Sequence, residues 1–343
     1  MTSLEKHLVR FGLRRFTSVD YFYWAAKELG PRVAREVQTL LQPLEREGSN
    51  LADWQGFSNF TADPKIAPVV LSMHTDAVRA AGEAAAEAIG ERKRILDLGS
   101  STGYLATWYA ARNKKARVTG MDFARNAVAE ARRMAGALKI KNIEFVTGDF
   151  TKALPRGPFD AAVDTRAVEC VRERAEAFRR VRGALAEDGI LVSAASLKDS
   201  TATREWLGAL HTADFRIASF EYAYHSDRGE PGALAVITAV PAGKGIWVEV
   251  NAACDVMRLG VALLGIGLNI TRTGDAWPVG EVLPGTPAEK AGVKAKDRLA
   301  AVSDCPVGEL DIHRLRKSVG EEKKLRLVMV RGKRKVKIEV TLW

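Results

Sequence analysis

One run constrains this chain more than any other, Arg94-Ile95-Leu96-Asp97-Leu98-Gly99-Ser100-Ser101-Thr102-Gly103-Tyr104. A short apolar stretch closes on Asp97-Leu98, small residues follow, and Leu105-Ala106-Thr107-Trp108-Tyr109-Ala110-Ala111 is built from residues that a helix tolerates. The order is strand, glycine turn, helix. Glycine reaches positive φ and leaves no side chain between backbone and ligand, so such a turn lets a nucleotide-like molecule press against the end of a parallel strand.

The pattern recurs. Arg117-Val118-Thr119-Gly120-Met121 ends in Asp122-Phe123, and Ile143-Glu144-Phe145-Val146 leads to Gly148-Asp149-Phe150. Acids at 97, 122 and 149 are about one βα unit apart, which puts all three on the carboxyl edge of one parallel sheet, where α/β folds bind ligands. An acid at the second strand end can accept both ribose hydroxyls. One at the third can accept from an adenine amino group, with Phe150 against the ring.

A dinucleotide site asks for G-x-G-x-x-G, so that a pyrophosphate lies on the helix N-terminus. Here Gly99 and Gly103 lack a third glycine at that spacing. At these residues the chain resembles the class I S-adenosylmethionine-dependent methyltransferases, whose first motif is an acid followed by three alternating glycines. Asp97, Gly99 and Gly103 match it, and Ser101 stands where the middle glycine is usual. The resemblance covers roughly residues 60 to 241. It implies a doubly wound α/β fold with a mostly parallel seven-stranded sheet, and S-adenosyl-L-methionine as cofactor. By the same resemblance Asp97, Gly99, Ser100, Ser101, Thr102 and Gly103 hold the methionine part, Asp122 and Phe123 the ribose side, and Asp149 with Phe150 the adenine; Asp164 completes the cofactor set.

Residues 1–90 read as helical, with Leu4, Leu8 and Phe11 at helical spacing, the cluster Tyr21-Phe22-Tyr23-Trp24, and a second helix from Pro31 through Leu44. Trp54, Phe57 and Phe60 are expected on a loop, and His74 on a helix ending near Gly90. The resemblance makes this segment a lid over the substrate or a homodimer interface. Residues 91–241 carry the alternating pattern: a fourth strand Phe159 to Asp164, a helix Glu173 to Leu185, a fifth strand closing on Ser193, and two final strands, Arg216 to Tyr224 and Ala233 to Val240. Residues 242–257, opening on Ala242-Gly243-Lys244-Gly245 just after Pro241, read as a linker.

Residues 258–343 are punctuated differently. Pro284-Gly285-Thr286-Pro287-Ala288-Glu289-Lys290-Ala291-Gly292 contains a capping box with proline at the first helical position, and Lys296-Asp297-Arg298-Leu299 opens a strand. This part resembles a bacterial-type PDZ domain, a small β-rich partial barrel. The resemblance implies a peptide or protein C-terminus as partner, its carboxylate on the amides of Gly265-Ile266-Gly267-Leu268 and its side chain against Ile312, Leu315, Arg316 and Val319.

Methyl transfer needs alignment of the acceptor and, for a hydroxyl, a base. After the fourth strand stands Asp164-Thr165-Arg166-Ala167-Val168-Glu169-Cys170-Val171, which holds no histidine. Three readings stay open: Glu169 or Asp164 as base, His74 or His225 reaching in, or an acceptor that needs none. An Asn/Asp-Pro-Pro-aromatic motif is missing there, and Cys170 follows Glu169 rather than proline. Both points argue against nucleic acid and for a small-molecule acceptor, although the formal charge is +10.

The rest of the composition sets outer bounds. A chain of 343 residues supports two or three domains. Nothing approaches the ~20 apolar residues of a membrane span, and the first residues carry no secretory pattern, so a cytoplasmic enzyme is expected. Cys170, Cys254 and Cys305 are too scattered for a disulfide framework or a zinc site, and no metal is expected. The expectation is a methyltransferase with a PDZ recruitment module. The alternative is a binding protein whose methyltransferase-like fold is a scaffold for that module.

Overall fold

The computed structural model describes residues 2–44, 51–241, 245–321 and 324–342. The expected linker residues Ala242, Gly243 and Lys244 lie outside that set, as does Trp343. The chain forms two compact units, one of Met1–Ala223 with Leu234–Val248 and one of Tyr224–Ala233 with Glu249–Trp343.

Among the described residues the first unit opens with five helices, α1 (Ser3–Arg10), α2 (Asp20–Leu41), α3 (Leu51–Thr61), α4 (Ala67–Ser72) and α5 (Thr75–Ile89). Thr2 caps α1 through a capping box with Glu5. α2 starts at Asp20, but the backbone at Gly30, φ 70° and ψ 163°, is not helical, so two helices meet there and the second begins at the expected Pro31. Of the aromatic cluster at its start only Tyr21 is buried, while Phe22 and Tyr23 are 54% and 77% exposed. Trp54, Phe57 and Phe60 stand on helix α3, not on a loop. Their spacing of three is helical, and α3 is fixed to the helix after β2 by Asn126 N–H on Asn59 Oδ1 at 3.0 Å.

The alternating part then supplies β1 (Arg94–Leu98), α6 (Tyr104–Arg112), β2 (Arg117–Asp122), α7 (Arg125–Ala137), β3 (Ile143–Thr147), β4 (Phe159–Thr165), α8 (Arg174–Ala184), β5 (Leu185–Ala195), α9 (Ser200–Thr212), β6 (Arg216–Asp227) and β7 (Glu230–Val240). The sheet order is β3-β2-β1-β4-β5-β7-β6, with β1 to β5 parallel and β7 antiparallel to β5. The order reverses at β1, with β2 on one side and β4 on the other. A crevice at the carboxyl ends of such a pair is where open α/β sheets take ligands.

Helix α1 reaches this sheet through α5 and α6. At Gly82 of α5 a β-carbon would lie 2.7 Å from a Leu105 methyl of α6 and 3.0 Å from a Leu4 methyl of α1, so the three helices meet at this residue. Leu4 and Leu8 are buried to 0% and 1% exposure in the same core as Ile95, Val118 and Val163. Each such side chain contributes about 1.5–3 kcal/mol on burial.

The second unit comprises α10 (Val250–Gly265), β8 (Leu268–Ile270), β9 (Trp277–Val282), α11 (Pro287–Lys290), β10 (Arg298–Val302), β11 (Cys305–Pro306), α12 (Ile312–Glu321), β12 (Lys324–Arg331) and β13 (Arg334–Thr341). Its sheet runs β13-β12-β10-β9-β8, with β11 on β10 and antiparallel neighbours throughout. Residues 250–257 are the first half of α10 rather than linker. Glu249 caps that helix by accepting from Asn251 and Ala252, and Leu259 and Leu263 enter the unit's core. The expected capping box at α11 does not form: Thr286 Oγ1 donates to the Leu283 carbonyl at 2.5 Å, and Glu289 accepts from Gly285 N–H at 2.6 Å.

Candidate functional site

The turn after β1 is held open by its glycines. Gly99 and Gly103 take φ of 64° and 81°, and Ser101 between them also sits in the left-handed region at 49°. At Gly103 a β-carbon would lie 2.6 Å from the Phe145 ring, and at Gly99 2.4 Å from the Ala167 methyl. The turn therefore wedges between β3 and the loop that follows β4.

Asp122 ties this turn to the next βα unit. One carboxylate oxygen accepts from Ser101 N–H and the other from Ala124 N–H, both at 2.8 Å. Each oxygen keeps a further lone pair. Asp97, Asp122 and Asp164, at the ends of three adjacent strands, are all buried, with 3%, 5% and 0% exposure. Burial, followed by the charges of Asp122 and Asp164, pushes Asp97 up to about 8. Burial also raises Asp122, against the pull of the Ala124 and Ser101 amides. Tyr104 and Tyr109 are raised by burial and then by Asp97, which marks them as its neighbours.

Asp164 has a different environment from the one expected of a proton carrier. Its Oδ1 accepts from the amides of Ala167 and Val168 at 2.8 and 3.0 Å, and Oδ2 accepts from Ser193 Oγ at 2.8 Å. Burial brings it to about 6, against the Val168 and Ser193 hydrogen bonds. It is fully buried, with all three hydrogen bonds running to the loop after β4 and to β5. Glu169 is partly open, its side chain 22% exposed. It accepts from Ser196 N–H and pairs with Arg166 at 3.3 Å.

Asp149 lies half-buried at the end of β3. Burial raises its pKa, but the Thr151 hydroxyl and amide together with Lys152 outweigh that and leave it below the ordinary value. Phe150 is buried beside it and Phe123 is half-buried after β2. His74 is the residue before α5, half-buried, and His225 belongs to the second unit, 3.3 Å from Asp227. The geometry thus gathers Asp97, Asp122 and Asp164 with Tyr104 and Tyr109, and stations Glu169 at the loop. Ser193, Ser196 and Arg166 carry that loop and had no motif to announce them.

The donor set fits S-adenosylmethionine. The turn is free of side chains at Gly99 and Gly103, and the carboxylates accept hydroxyl and amino protons. The Ser100 hydroxyl is buried with no hydrogen-bond partner among the described residues. Among those residues no group of His, Cys, Asp or Glu side chains is arranged to hold a metal ion, and no helix is long and apolar enough to cross a membrane.

In the second unit the geometry corrects the expected carboxylate-binding turn. Gly265 is the last residue of α10, Ile266 N–H donates to Leu263 O at 3.2 Å, and Gly267 N–H donates to Leu264 O at 2.8 Å. These amides close the helix and are not free to capture a carboxylate. Leu268 pairs with Val282 in the sheet. Gly265 and Ile266 do share a cavity of about 520 Å³ with Ile312, Leu315, Arg316 and Val319, together with Met257, Arg258, Val261 and Ala262 of α10.

Residues 89–224 match a family model described as a methyltransferase domain. Over 119 residues the chain is 28% identical to the malonyl-[acyl-carrier protein] O-methyltransferase of Bacillus anthracis, which covers 35% of this chain and 41% of that protein. Over 110 residues it is 32% identical to the release factor glutamine methyltransferase of Escherichia coli (strain K12), covering 32% and 40%. The chain thus spans about two fifths of the length of these curated relatives. Among solved structures, the mitomycin 7-O-methyltransferase MmcR aligns at a TM-score of 0.47 and 16% identity, over 63% of this chain and 70% of that one. The [4+2]-cyclase SpnF aligns at 0.41 and 20%, over 47% and 82%.

Proposed function

We propose, from the premise that residues 89–224 are a class I S-adenosylmethionine-dependent methyltransferase domain, that this chain transfers a methyl group to a small-molecule acceptor held beside the loop after β4. The observation that carries this reading is Asp122, whose carboxylate binds the Ser101 and Ala124 amides while keeping lone pairs for a diol. The bound cofactor supplies a methyl group already activated on a sulfonium. The chain's own residues have the remaining work of alignment. The glycine turn admits the methionine part, Asp122 accepts the ribose hydroxyls, and Asp149 with Phe150 takes the adenine. Buried Asp97, pushed up to about 8, holds its proton at neutral pH, and a bound cation would draw it into its carboxylate form. Glu169, partly exposed, is the acid that meets the acceptor, while Asp164 holds its loop still.

Titration calorimetry with S-adenosylhomocysteine tests the cofactor site. The wild type should bind, and Asp122→Ala should weaken binding by roughly 1.5–3 kcal/mol, the scale of hydrogen bonds to a charged group. A wild type that does not bind would sink the enzyme reading and leave the scaffold one.

The second unit we read as a recruitment module of the PDZ kind. Supporting this are the antiparallel sheet, the short helix α11 opened by Pro287, and an accessible cavity on α12. Screening the full chain against immobilised peptides with free carboxyl ends tests it, and retention of none removes the peptide-recruiting role.

A further inference from the structure

The cavity between α10 and α12 has a lining that points to a definite ligand chemistry. Helix α10 lies along α12 and brings Leu259 and Leu263 into one core with Ile312 and Leu315, which are both 3% exposed. Beyond that contact the helices part, leaving the cavity of about 520 Å³, in the range of small-molecule sites. Its apolar wall includes Met257, Val261, Leu315, Val319, Leu325 and Leu342. Val319 is 40% exposed there, an aliphatic side chain left without cover.

Among the described residues two charged side chains line it, Arg258 and Arg316, and no acid does. Arg258 pairs with Asp255 at 3.1 Å, and Arg316 makes no ion pair among the described residues. Most of the lining stands on α10 and α12, whose backbone groups are bonded within the helices, and the nearby edge strand β8 is not among its described lining residues. The turn amides expected to hold a carboxylate are spent on the end of α10. An aliphatic body with an anionic head matches what remains, because arginine binds carboxylates through two parallel N–H groups.

We propose that this cavity binds an aliphatic monocarboxylate of fatty-acid type, its chain between α10 and α12 and its carboxylate on Arg316 with Arg258. This rests on reading the second unit as a recruitment module and names the ligand class it recruits. It does not depend on the methyltransferase reading.

The test titrates sodium decanoate, below its micelle-forming concentration, into the full chain, with decan-1-ol as the uncharged match. Decanoate should bind, and decanol should bind about tenfold or more weakly. Arg316→Glu should weaken decanoate by about tenfold or more, and Val319→Trp, which fills the cavity from its exposed side, should abolish binding. Circular dichroism confirms that both variants fold. Should Val319→Trp unfold, a shift of the Met257 methyl resonance on adding decanoate, and its loss in Arg316→Glu, reads the same site. No binding of decanoate, equal binding of decanol, or full binding by a folded Val319→Trp overturns the proposal. An acetylated peptide ending in leucine that binds where decanoate does not would overturn it too, while leaving the recruitment reading intact.

Discussion

Gly99 and Ala167 lie so close that a β-carbon on residue 99 would stand 2.4 Å from the Ala167 methyl. The turn after β1 and the loop after β4 are therefore packed as one body, and the site's shape depends on a missing methyl group. Gly99→Ala adds that clash to a backbone at φ 64°. Overpacking costs about 1–3 kcal/mol and the left-handed conformation about 1–2 kcal/mol more. Thermal unfolding should show a clear loss of stability together with weaker S-adenosylhomocysteine binding. Gly208→Ala is the control, since residue 208 lies inside α9 with nothing within 4 Å of the added carbon. It should stabilise by about 0.5–1 kcal/mol.

His7 of α1 gives the fold an acid-sensitive latch. Its Nε2 lies 2.9 Å from Thr107 Oγ1, and that hydroxyl already donates to the Gly103 carbonyl at 2.7 Å, so the imidazole is the donor. Burial, then Arg10, lowers the histidine from 6.5 to about 4, against a hydrogen bond to the Tyr104 backbone. Between those values the unfolded chain binds the proton and the native one does not, so stability falls as pH drops from 6.5 to about 4 and levels off below. The span is worth roughly 3 kcal/mol. Asp97 and Asp164 act with the opposite sign over the same window, so the His7 contribution is read as a difference: as pH drops from 6.5 to about 4 the wild type should lose melting temperature relative to His7→Gln, which keeps a donor for Thr107.

Asp97 acts with the opposite sign. Its native value of about 8 lies above the ordinary 3.8, so across that window the native state holds a proton that the unfolded state has lost. Stability from this group falls as pH rises, and above 6.5, where His7 no longer contributes, Asp97 sets the trend. The charges around it are Asp122, Asp164, Tyr104 and Tyr109. Asp97→Asn should remove the decline between pH 6.5 and 8 in a melting series. An unchanged decline would place the titrating group elsewhere.

The sheet was legible because its strands end in punctuation: Asp97 before Gly99, Asp122 before Phe123, Asp149 after Gly148. Burial on both faces makes such strands apolar, and the edge that meets ligand makes them end in acids. What escaped was decided by partners distant in sequence. Asp164 and Glu169 look alike as loop carboxylates, yet Ser193 and Ser196, 29 and 27 residues further on, fix which is buried and which is not. Gly265-Ile266-Gly267 reads equally well as an anion-binding turn and as a helix end, because both need glycine there. The helix that began at Glu249 settled the use of its amides. Trp54, Phe57 and Phe60 carried a helical spacing, and their helix is fixed through Asn59 to Asn126, far along the chain.

The two loop acids give the sharpest division of roles. Asp164 accepts three hydrogen bonds and is fully buried, so Asp164→Ala strands two amides and the Ser193 hydroxyl, at about 1–3 kcal/mol for each unsatisfied group. Asp164→Asn keeps one acceptor for the amides and offers a donor to Ser193 Oγ. It also removes the burial of a carboxylate held near 6. Its melting temperature should stay within a few degrees of wild type, where that of Asp164→Ala falls steeply. Glu169 is the exposed member of the pair, so with an acceptor identified, Glu169→Gln should lower kcat more than Asp164→Asn does, with S-adenosylhomocysteine affinity nearly equal in both. If Asp164→Asn instead removed turnover while folding and binding cofactor normally, the proton would be passing through Asp164, and the bracing role assigned to it would be wrong.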